Sequence, residues 1–244
     1  MGSNVRARIQ SLSIDDRVTS TNDRVREASP EAGRACCAVA AEQTAGRGRR
    51  GRVWDSPPGA GLYYSLATGR SSAAPGYVSL AVVARIVEIL AGFGIHGLTL
   101  KWPNDILRDG CKLGGILVEQ RQQGGRWILV VGFGLNLASQ AAADRIGLAD
   151  WMDPGEIPDA QLLARLTEEL VGLLLEMDLE SAWPRLRAIW EAHDHFRDQG
   201  VRIIDEQGEH TGIARGVTDS GALVLEKSAG IRHCHAGEAS LRSV

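Results

Sequence analysis

Two hydrophobic periodicities divide this chain near Gly200, and that division constrains the fold more than any other feature. Apolar residues recur at helical spacing over residues 77–93 and again between residues 158 and 193. Beyond Gly200 the chain instead holds short strand-like runs that are separated by glycine-containing turns. Short strands in close succession predict a small β-barrel behind a larger α+β domain. We therefore expect a first domain over residues 1–198 and a barrel over residues 199–244.

Strands are expected between the helices of the larger domain. Residues 36–42 form a run of small apolar residues, and residues 62–68 are rich in aromatic residues, so both predict buried strands. Residues 98–102 predict another strand. A hairpin is expected from residues 112–119 and 126–136, which are joined by a polar, glycine-containing turn. These runs predict one sheet that packs against the helices.

A loop of alternating glycine and arginine lies between the first two predicted strands. This arginine loop reads GRGRRGRVW over residues 46–54. Its glycines let the main chain approach a ligand closely, while guanidinium groups offer paired donors to phosphate or carboxylate. The spacing G-x-G-x-x-G does not indicate a dinucleotide fold, because residues 54–59 would stop a helix rather than begin one. A protein kinase is excluded because no lysine precedes Lys101 and the tripeptides H-R-D and D-F-G are absent.

The charge balance decides how the arginine loop is interpreted. The 244-residue chain carries a formal net charge of −3, with a pI near 6.1. A local basic cluster on a mildly acidic protein indicates a site for a small polyanion rather than general affinity for nucleic acid. A nucleic-acid-binding module that uses the arginine loop remains the alternative from a different class.

Cysteine usage and the N-terminal segment bear on the compartment. The four cysteines lack a C-x-x-C spacing, and two of them are adjacent, which supports neither a disulfide framework nor a zinc ribbon. The N-terminus lacks an apolar signal segment, and no apolar run reaches membrane-spanning length. We expect a cytoplasmic protein that does not bind membranes.

A helix N-terminus is the first element expected in the chain. Residues 1–19 are polar with isolated apolar positions, and the hydroxyl and amide residues of the segment Thr19-Ser20-Thr21-Asn22-Asp23 follow them. Such residues favour a helix that begins at Ser20 or Thr21. Their side chains either cap the helix or line a polar pocket, and both interpretations stay open.

A second group of polar residues follows the predicted strand over residues 98–102. Asn104 and Asp105 stand at its end, where ligand groups are commonly placed. Lys112 precedes a glycine pair at residues 114–115, and glycines weaken a strand unless they form a bulge or let a ligand approach. Because one or two carboxylates and substrate phosphates together hold Mg²⁺, Asp105 and the arginine loop predict a nucleotide site.

These segments resemble the motifs of biotin protein ligases, the enzymes that attach biotin to biotin-dependent carboxylases. Each segment alone is weakly specific, but six in the family's order are highly specific. They span nearly the whole chain: STN at 20–22, QTAGRGRRGRVW at 43–54, KWPND at 101–105, KLGGIL at 112–117, GFGLN at 132–136 and GEASLR at 237–242.

The resemblance implies a fold and a reaction. The expected fold is α+β, with a mixed-sheet catalytic domain of the biotin/lipoate ligase type and a C-terminal SH3-like barrel. Biotin and MgATP would give biotinyl-5′-AMP, which a lysine of a biotin carboxyl carrier protein domain would then attack. The nearest enzymatic alternative is a lipoate or octanoate ligase, whose Arg-Arg-x-Ser-Gly-Gly-Gly signature is absent. Family members that repress transcription carry an N-terminal helix-turn-helix domain, for which 19 residues are too few, so DNA binding is not expected.

The resemblance also implies roles for individual residues. Catalytic roles fall to Arg47, Arg49 and Lys112, and Asp105 is the expected Mg²⁺ ligand. The expected biotin-binding residues are Ser20, Thr21, Asn22, Gln43, Gly46, Arg47, Lys112, Gly115 and Ile116. The expected ATP and adenylate contacts are Arg49, Arg52, Trp54, Asn104, Lys112 and Asn136.

Overall fold

The computed structural model describes residues 3–137, 159–176, 179–205, 207–236 and 240–243. Within these ranges a seven-stranded sheet and a five-stranded sheet account for the strands. None of the helices in the same ranges combines the length and the apolarity that a membrane crossing requires. The predicted closing motif lies partly outside this description, because residues 237–239 are not covered.

The larger sheet is mixed, with the order β1-β2-β3-β7-β6-β5-β4. β1 pairs with β2 in parallel, and all other neighbours in this sheet are antiparallel. The predicted strands and hairpin are present, and two strands that the sequence did not predict, β1 and β5, complete the sheet. Its strands are β1 (Ile9–Val18), β2 (Ala35–Gln43), β3 (Gly61–Arg70), β4 (Leu98–Lys101), β5 (Asp105–Arg108), β6 (Cys111–Gln123) and β7 (Arg126–Asn136).

Helices cover the two faces of this sheet unequally. Alternating residues of the central strands divide between the faces, as the two-residue period of a strand requires. One face contributes residues such as Tyr64 and Leu66 to the main core, against α3, α4 and α5. The other face contributes Ala67 and Val130 to a small cluster around Val25 of α2. The helices are α1 (Ser3–Arg8), α2 (Thr21–Glu27), α3 (Val78–Gly92), α4 (Asp159–Val171) and α5 (Leu179–Ala192).

The helical pattern after residue 158 is interrupted rather than continuous. α4 passes into a π-helical segment over Gly172–Glu176 before α5 begins. The apolar spacing of residues 181–193 predicts a second helix with Pro184 in its first turn, but α5 starts at Leu179, so Pro184 lies in the second turn. The cause is that Leu179 is buried and extends the apolar stripe of α5 by two residues toward its N-terminus.

The C-terminal part forms an antiparallel five-stranded sheet with the order β11-β10-β9-β8-β12. The sequence predicted strands here, but the last predicted run is divided into two strands, β11 and β12. Buried residues of this sheet, such as Val201 and Leu223, belong to the same hydrophobic cluster as the main core. The strands are β8 (Gly200–Asp205), β9 (Gly208–Val217), β10 (Leu223–Lys227), β11 (Gly230–Cys234) and β12 (Ser240–Ser243).

Candidate active site

A cleft of about 690 Å³ lies beside the N-terminus of α2 and reaches across the sheet to the barrel. Gly46 and Asn136 are the two predicted site residues that do not line it. Gly46 lies behind the wall, where its carbonyl accepts from Trp54 N at 2.9 Å, and Asn136 Nδ2 donates to the carbonyl of Lys112 at 3.1 Å. The other predicted residues line the cleft: Ser20, Thr21, Asn22, Gln43, Arg47, Arg49, Arg52, Trp54, Asn104, Asp105, Lys112, Gly115 and Ile116.

Neutral hydrogen-bonding groups from α2 and β2 form one end of the cleft. The backbone N–H of Thr21 donates to Gln43 Oε1 at 2.9 Å, and the Thr21 hydroxyl lies 3.0 Å from the same oxygen. Gln43 Nε2 donates to Ser56 Oγ at 2.9 Å, which fixes the orientation of the amide. Ser20 is the N-cap residue but makes no side-chain cap hydrogen bond. The interpretation of Ser20 as a capping side chain is therefore wrong. This buried side chain lines the cleft instead.

Asn22 is buried in the same wall and is held from two sides. Ser65 Oγ donates to Asn22 Oδ1 at 2.6 Å, and Asn22 Nδ2 donates to Glu119 Oε2 at 2.7 Å. A Cβ atom at Gly132 would lie only 2.2 Å from Asn22 Oδ1, so a side chain at that position would displace the amide. Glycine at position 132 of β7 therefore leaves the room that Asn22 occupies.

The arginine loop folds into a narrow hairpin over the cleft. Trp54 N donates to Gly46 O at 2.9 Å, Gly48 N donates to Arg52 O at 2.7 Å, and the tip is a 3₁₀ turn. Gly51 has a φ of 70°, in the left-handed region that a glycine adopts at little cost. The alternation of glycine and arginine thus permits a reversal of the chain within nine residues.

The four arginines of this loop do not point the same way. Arg47 binds Asp23 through both terminal nitrogens, at 2.6 and 2.8 Å. Arg49 donates to Asn104 Oδ1 at 3.3 Å and to the carbonyl of Ala236 in the barrel. Arg52 lines the cleft, whereas Arg50 is exposed and does not.

The pKa values of Arg47 and Arg49 are shifted in opposite directions. The hydrogen bond from Arg47 lowers the pKa of Asp23, and the same hydrogen bond raises the pKa of Arg47. Burial lowers the pKa of Arg49, which nevertheless keeps its charge because a guanidinium does not deprotonate in proteins. Arg49 is therefore a partly desolvated cation, and a cation in such surroundings stabilises negative charge more strongly than one in water.

Lys112 and Asp105 face each other beneath the arginine loop. Lys112 Nζ donates to Asp105 Oδ1 at 2.7 Å and lies 5.0 Å from the centre of the Trp54 ring. Gly115 is opposite Asp105 in the β5–β6 register, and a Cβ atom there would lie 3.2 Å from Asp105 Oδ1. A Cβ atom at Gly134 would lie 2.5 Å from the Trp54 indole. Two strand glycines thus make room for the lysine–aspartate pair and for the indole.

Asn104 supports the cleft through the backbone of β6. Its Nδ2 donates to the carbonyl of Ile116 at 2.7 Å, and Ile116 N donates to the carbonyl of Asn104 at 3.0 Å. The resemblance implies that Ile116 binds biotin, but its backbone N–H already donates within the protein. Ile116 therefore contributes to the cleft mainly as an apolar surface.

Several cleft residues escaped the prediction because distant segments bring them together. Leu100 N donates to His193 O at 2.7 Å, and His195 N donates to Leu100 O at 2.9 Å, so the chain before the barrel pairs with β4. This pairing places Lys101 beside Phe196, whose ring centre lies 5.8 Å from Lys101 Nζ. The lining residues that were not assigned a role include Lys101, His195, Phe196, Gln199 and Arg242.

Signals for some of these residues were present in the sequence. Lys101 is one of only three lysines in the chain, and Arg242 ends the last of the six family-like segments, GEASLR. Burial lowers the pKa of Lys101, and the charge of Arg242 lowers it further, which shows that both cations share one region. No local pattern marked His195 or Gln199.

The cleft therefore has two chemically different ends. The α2 end offers neutral donors and acceptors in a buried network. At the other end several cations surround one carboxylate: Arg49, Arg52, Lys101, Lys112 and Arg242 around Asp105. Such a site fits a small molecule with a neutral polar head that must meet a polyanion such as a nucleotide.

Comparison with known proteins supports one family over nearly the whole chain. Residues 13–136 match the Biotin/lipoate A/B protein ligase family, and residues 198–242 match the biotin protein ligase C terminal domain. The Bifunctional ligase/repressor BirA of Escherichia coli strain K12 is 36% identical over 244 residues, covering 96% of this chain and 74% of that protein. The Biotin--[acetyl-CoA-carboxylase] ligase of Paracoccus denitrificans is 32% identical, covering 88% of this chain and 93% of that protein.

A solved structure has the same architecture. The biotin protein ligase from Aquifex aeolicus in complex with biotin and ATP is 26% identical to this chain, with a TM-score of 0.71. The match covers 97% of this chain and 99% of that one, so it includes both the mixed sheet and the barrel. Together with the two domain matches and the two-ended cleft, this means that the chain belongs to the biotin/lipoate protein ligase family and is a biotin protein ligase.

Proposed function

We propose that this protein is an ATP-dependent ligase that forms biotinyl-5′-AMP and then transfers biotin to a lysine of a biotin carboxyl carrier protein domain. In the first step a carboxylate oxygen of biotin attacks the α-phosphorus of ATP, and pyrophosphate leaves. In the second step the lysine amine attacks the carbonyl carbon of the mixed anhydride, AMP leaves, and the nitrogen loses a proton. Biotin, ATP and the acceptor domain are the partners.

The observation that carries this proposal is the pairing of a neutral polar end and a cationic end within one cleft. The ureido ring of biotin is neutral and has both hydrogen-bond donors and an acceptor, which suits Thr21, Asn22 and Gln43. The first step brings two anions together, so their repulsion is its main obstacle. The cations at the other end offset that repulsion and stabilise charge on the α-phosphoryl group.

Within the cationic end, the residues have separate tasks. Lys112 contacts both the biotin carboxylate and the α-phosphate. Arg49 and Arg52 contact the nucleotide phosphates, and Trp54 covers the adenylate. Asn104 and Asn136 hold the surrounding backbone through Ile116 and Lys112.

The residues present are compatible with Mg²⁺. The described part of the chain contains no cluster of three or more potential metal-ligating side chains. Among the residues that line the cleft, Asp105 supplies the carboxylate. Mg²⁺ is commonly bound through one or two carboxylates together with substrate phosphates, which such a site allows. Asp105 would hold the ion, and the bound ion would offset charge on the phosphate oxygens.

The observed geometry disfavours the nucleic-acid alternative. A basic loop that tracks a nucleic-acid backbone presents its cations to solvent. Here Arg47 binds Asp23, Arg49 binds groups inside the protein, and Arg52, although exposed, lines the cleft. Only Arg50 among the four does not line the cleft.

We propose a cytoplasmic location, where the ATP that the reaction consumes is available.

The test is incubation of the protein with biotin, MgATP and a biotin-acceptor domain, followed by intact mass measurement of the acceptor. The expected result is a mass increase that corresponds to one biotin. A second measurement without acceptor follows pyrophosphate release, which we expect to depend on biotin. Pyrophosphate release that is independent of biotin, or an acceptor whose mass does not increase, would contradict the proposal.

A further inference from the structure

The strongest contact of the arginine loop is with a carboxylate of the protein itself. Arg47 and Asp23 form a bidentate pair at 2.6 and 2.8 Å, the geometry in which a guanidinium binds a carboxylate most strongly. Asp23 lies in the first turn of α2, where the helix dipole also favours a negative charge. No motif in the sequence pointed to Asp23, which was noted only among helix-capping residues.

A second carboxylate extends this contact into a network. Glu119 of β6 lies 3.7 Å from Arg47, and Arg26 bridges the two acids, at 2.9 Å from Asp23 and 3.1 Å from Glu119. Glu119 also accepts from Asn22, which faces the neutral end of the cleft. The pair between Asp23 and Arg47 is therefore connected to the part of the cleft that we assign to biotin.

The position of Arg47 explains what the pair can do. Arg47 stands at the base of the hairpin, where it pairs with Val53 next to the hydrogen bond from Trp54 N to Gly46 O. Holding its side chain on α2 fixes the base of the loop while the tip stays exposed. A substrate carboxylate would meet an arginine whose charge is already paired with Asp23 through both terminal nitrogens.

We propose that Asp23 is a positioning residue, which acts through Arg47 to hold the arginine loop over the cleft before any substrate binds. Arg47 then connects the loop to α2, and Lys112 rather than Arg47 is the main ligand of the biotin carboxylate. The ordering of the loop base precedes substrate binding, so biotin does not have to supply it. The inference rests on the proposed function for its kinetic part only.

The experiment compares Asp23→Asn with the matched control Glu27→Gln. Both replace one carboxylate on α2 by its amide, but Glu27 is exposed and does not line the cleft. Hydrogen exchange of residues 46–54 in the ligand-free protein is measured first, because it needs no activity. We expect faster exchange in Asp23→Asn alone, with the melting temperature of both variants near that of the parent.

Kinetics then separates positioning from catalysis. For Asp23→Asn we expect KM for biotin to rise by about tenfold or more, the loss expected for one charge-assisted hydrogen bond, with a smaller change in kcat. In an Arg47→Gln background the same substitution should change KM by less than about twofold, because the partner through which it acts is gone.

Two outcomes would overturn the inference. One is unchanged exchange of residues 46–54 in Asp23→Asn, which would mean that the pair does not hold the loop. The other is an equal effect of Asp23→Asn in the parent and in the Arg47→Gln background, which would mean that Asp23 acts through α2 itself. A parent protein that fails to make biotinyl-AMP would contradict the proposed function but would leave the exchange result to decide the role of Asp23.

Discussion

Lys112 is held between an anion and an aromatic face. Its ammonium group lies 2.7 Å from Asp105 Oδ1 and 5.0 Å from the centre of the Trp54 ring. The chain uses arginine eight times as often as lysine, so a lysine here indicates that a compact ammonium is needed rather than merely a positive charge. A planar guanidinium would not fit the same position beside Gly115, which already brings the backbone close to Lys112 Nζ.

We therefore expect Lys112→Arg to fold but to form biotinyl-AMP far more slowly. Displacement of a catalytic charge by about 1 Å costs on the order of a hundredfold in rate. The measurement is single-turnover adenylate formation, with thermal melting as a check on folding. Lys227→Arg in β10 of the barrel is the control and should behave like the parent. A near-parental rate for Lys112→Arg would show that charge alone matters at this position.

Asp194 is a buried carboxyl that costs the protein stability at neutral pH. Its Oδ1 accepts from Phe196 N at 3.1 Å, but Oδ2 is buried with no hydrogen-bond partner among the described residues. Burial raises the pKa of Asp194 from its ordinary 3.8 to about 6. Between these values the folded protein keeps a proton that the unfolded chain has lost. Stability should therefore fall as the pH rises from about 4 to about 6 and change little above that range.

Asp194→Asn should remove this dependence, because the amide oxygen keeps the contact with Phe196 N and carries no charge. From the raised pKa of Asp194 we expect the free energy of unfolding of the variant to exceed that of the parent by up to about 3 kcal/mol at pH 7. Below pH 4 the two proteins should differ by almost nothing. Denaturant unfolding of parent and variant at pH 4 and pH 7 measures the difference. Equal stability of the two proteins at pH 7 would argue against a buried charge at Asp194.

At the scale of single residues, the sequence identified most of the cleft because its motifs are local. Gln43, Asp105 and Lys112 each lie in a segment whose composition suggested a ligand. Lys101 and His195 were not assigned because they meet only through the pairing of Leu100 with the segment at Asp194, which lies 94 positions away. A contact of that kind is set by tertiary structure and leaves no local pattern.

At the scale of elements, the arginine loop combines a bonded base and an exposed tip. The sequence predicts mobility across residues 44–56 in the absence of ligand. The hydrogen bonds at Gly48 and Trp54 restrict this expectation to the backbone of the tip, Arg49–Gly51, where Arg52 N donates to Arg49 O at 3.3 Å and the Arg49 side chain donates to Asn104 and Ala236. Ordering of the tip by a ligand would shield the labile anhydride from water.

We expect the tip amides to exchange rapidly in the free protein and slowly with biotin or the adenylate bound. The base amides of Gly48 and Trp54 should be protected in both states. Hydrogen exchange with and without biotin, resolved to peptides that cover residues 46–54, tests this. Equally slow exchange of the tip in both states would refute it.

Two strands of the sheet were missed for different physical reasons. β1 is an edge strand, and its apolar residues Leu12 and Ile14 are 47% and 75% exposed. Alternation of polar and apolar residues in its sequence is confined to residues 11–15, so the pattern by which a half-buried strand is found is short. β5 has only four residues and begins two residues after Pro103, so its first residue, Asp105, was interpreted as the end of the preceding strand. Long strands that are buried on both faces, such as β3 and β7, were predicted.

At the scale of the whole molecule, the barrel is docked on the larger domain through one turn and two tryptophans. Trp183 Nε1 donates to Asp219 O at 2.7 Å, and Trp102 Nε1 donates to Gly221 O at 3.2 Å. Tyr77 stacks on Trp183 with ring centres 4.5 Å apart. Since one hydrophobic cluster spans both parts, the boundary at residue 198, which stays a prediction, marks a change of architecture within a shared core.

Gly221→Ala should weaken this docking. Gly221 has a φ of 82°, and a Cβ atom there would lie 2.8 Å from Tyr77 Cα. The control is Gly230→Ala, where φ is 121° but no atom lies within 4 Å. We expect Gly221→Ala to lower the free energy of unfolding by about 1–3 kcal/mol more than the control does, which is the usual cost of overpacking. Denaturant unfolding should show one cooperative transition, and equal losses in the two variants would mean that the turn is not tightly docked.

The position of β12 in the cleft wall has a consequence for protein synthesis. Arg242 and Ser243 line the same cavity as Ser20 and Thr21, although more than two hundred residues separate the pairs. Because domains fold as the chain leaves the ribosome, α2, the arginine loop and Lys112 emerge well before the wall that faces them. A nascent chain would therefore display half a binding site, and the enzyme would become competent only when its last described strand had joined β8.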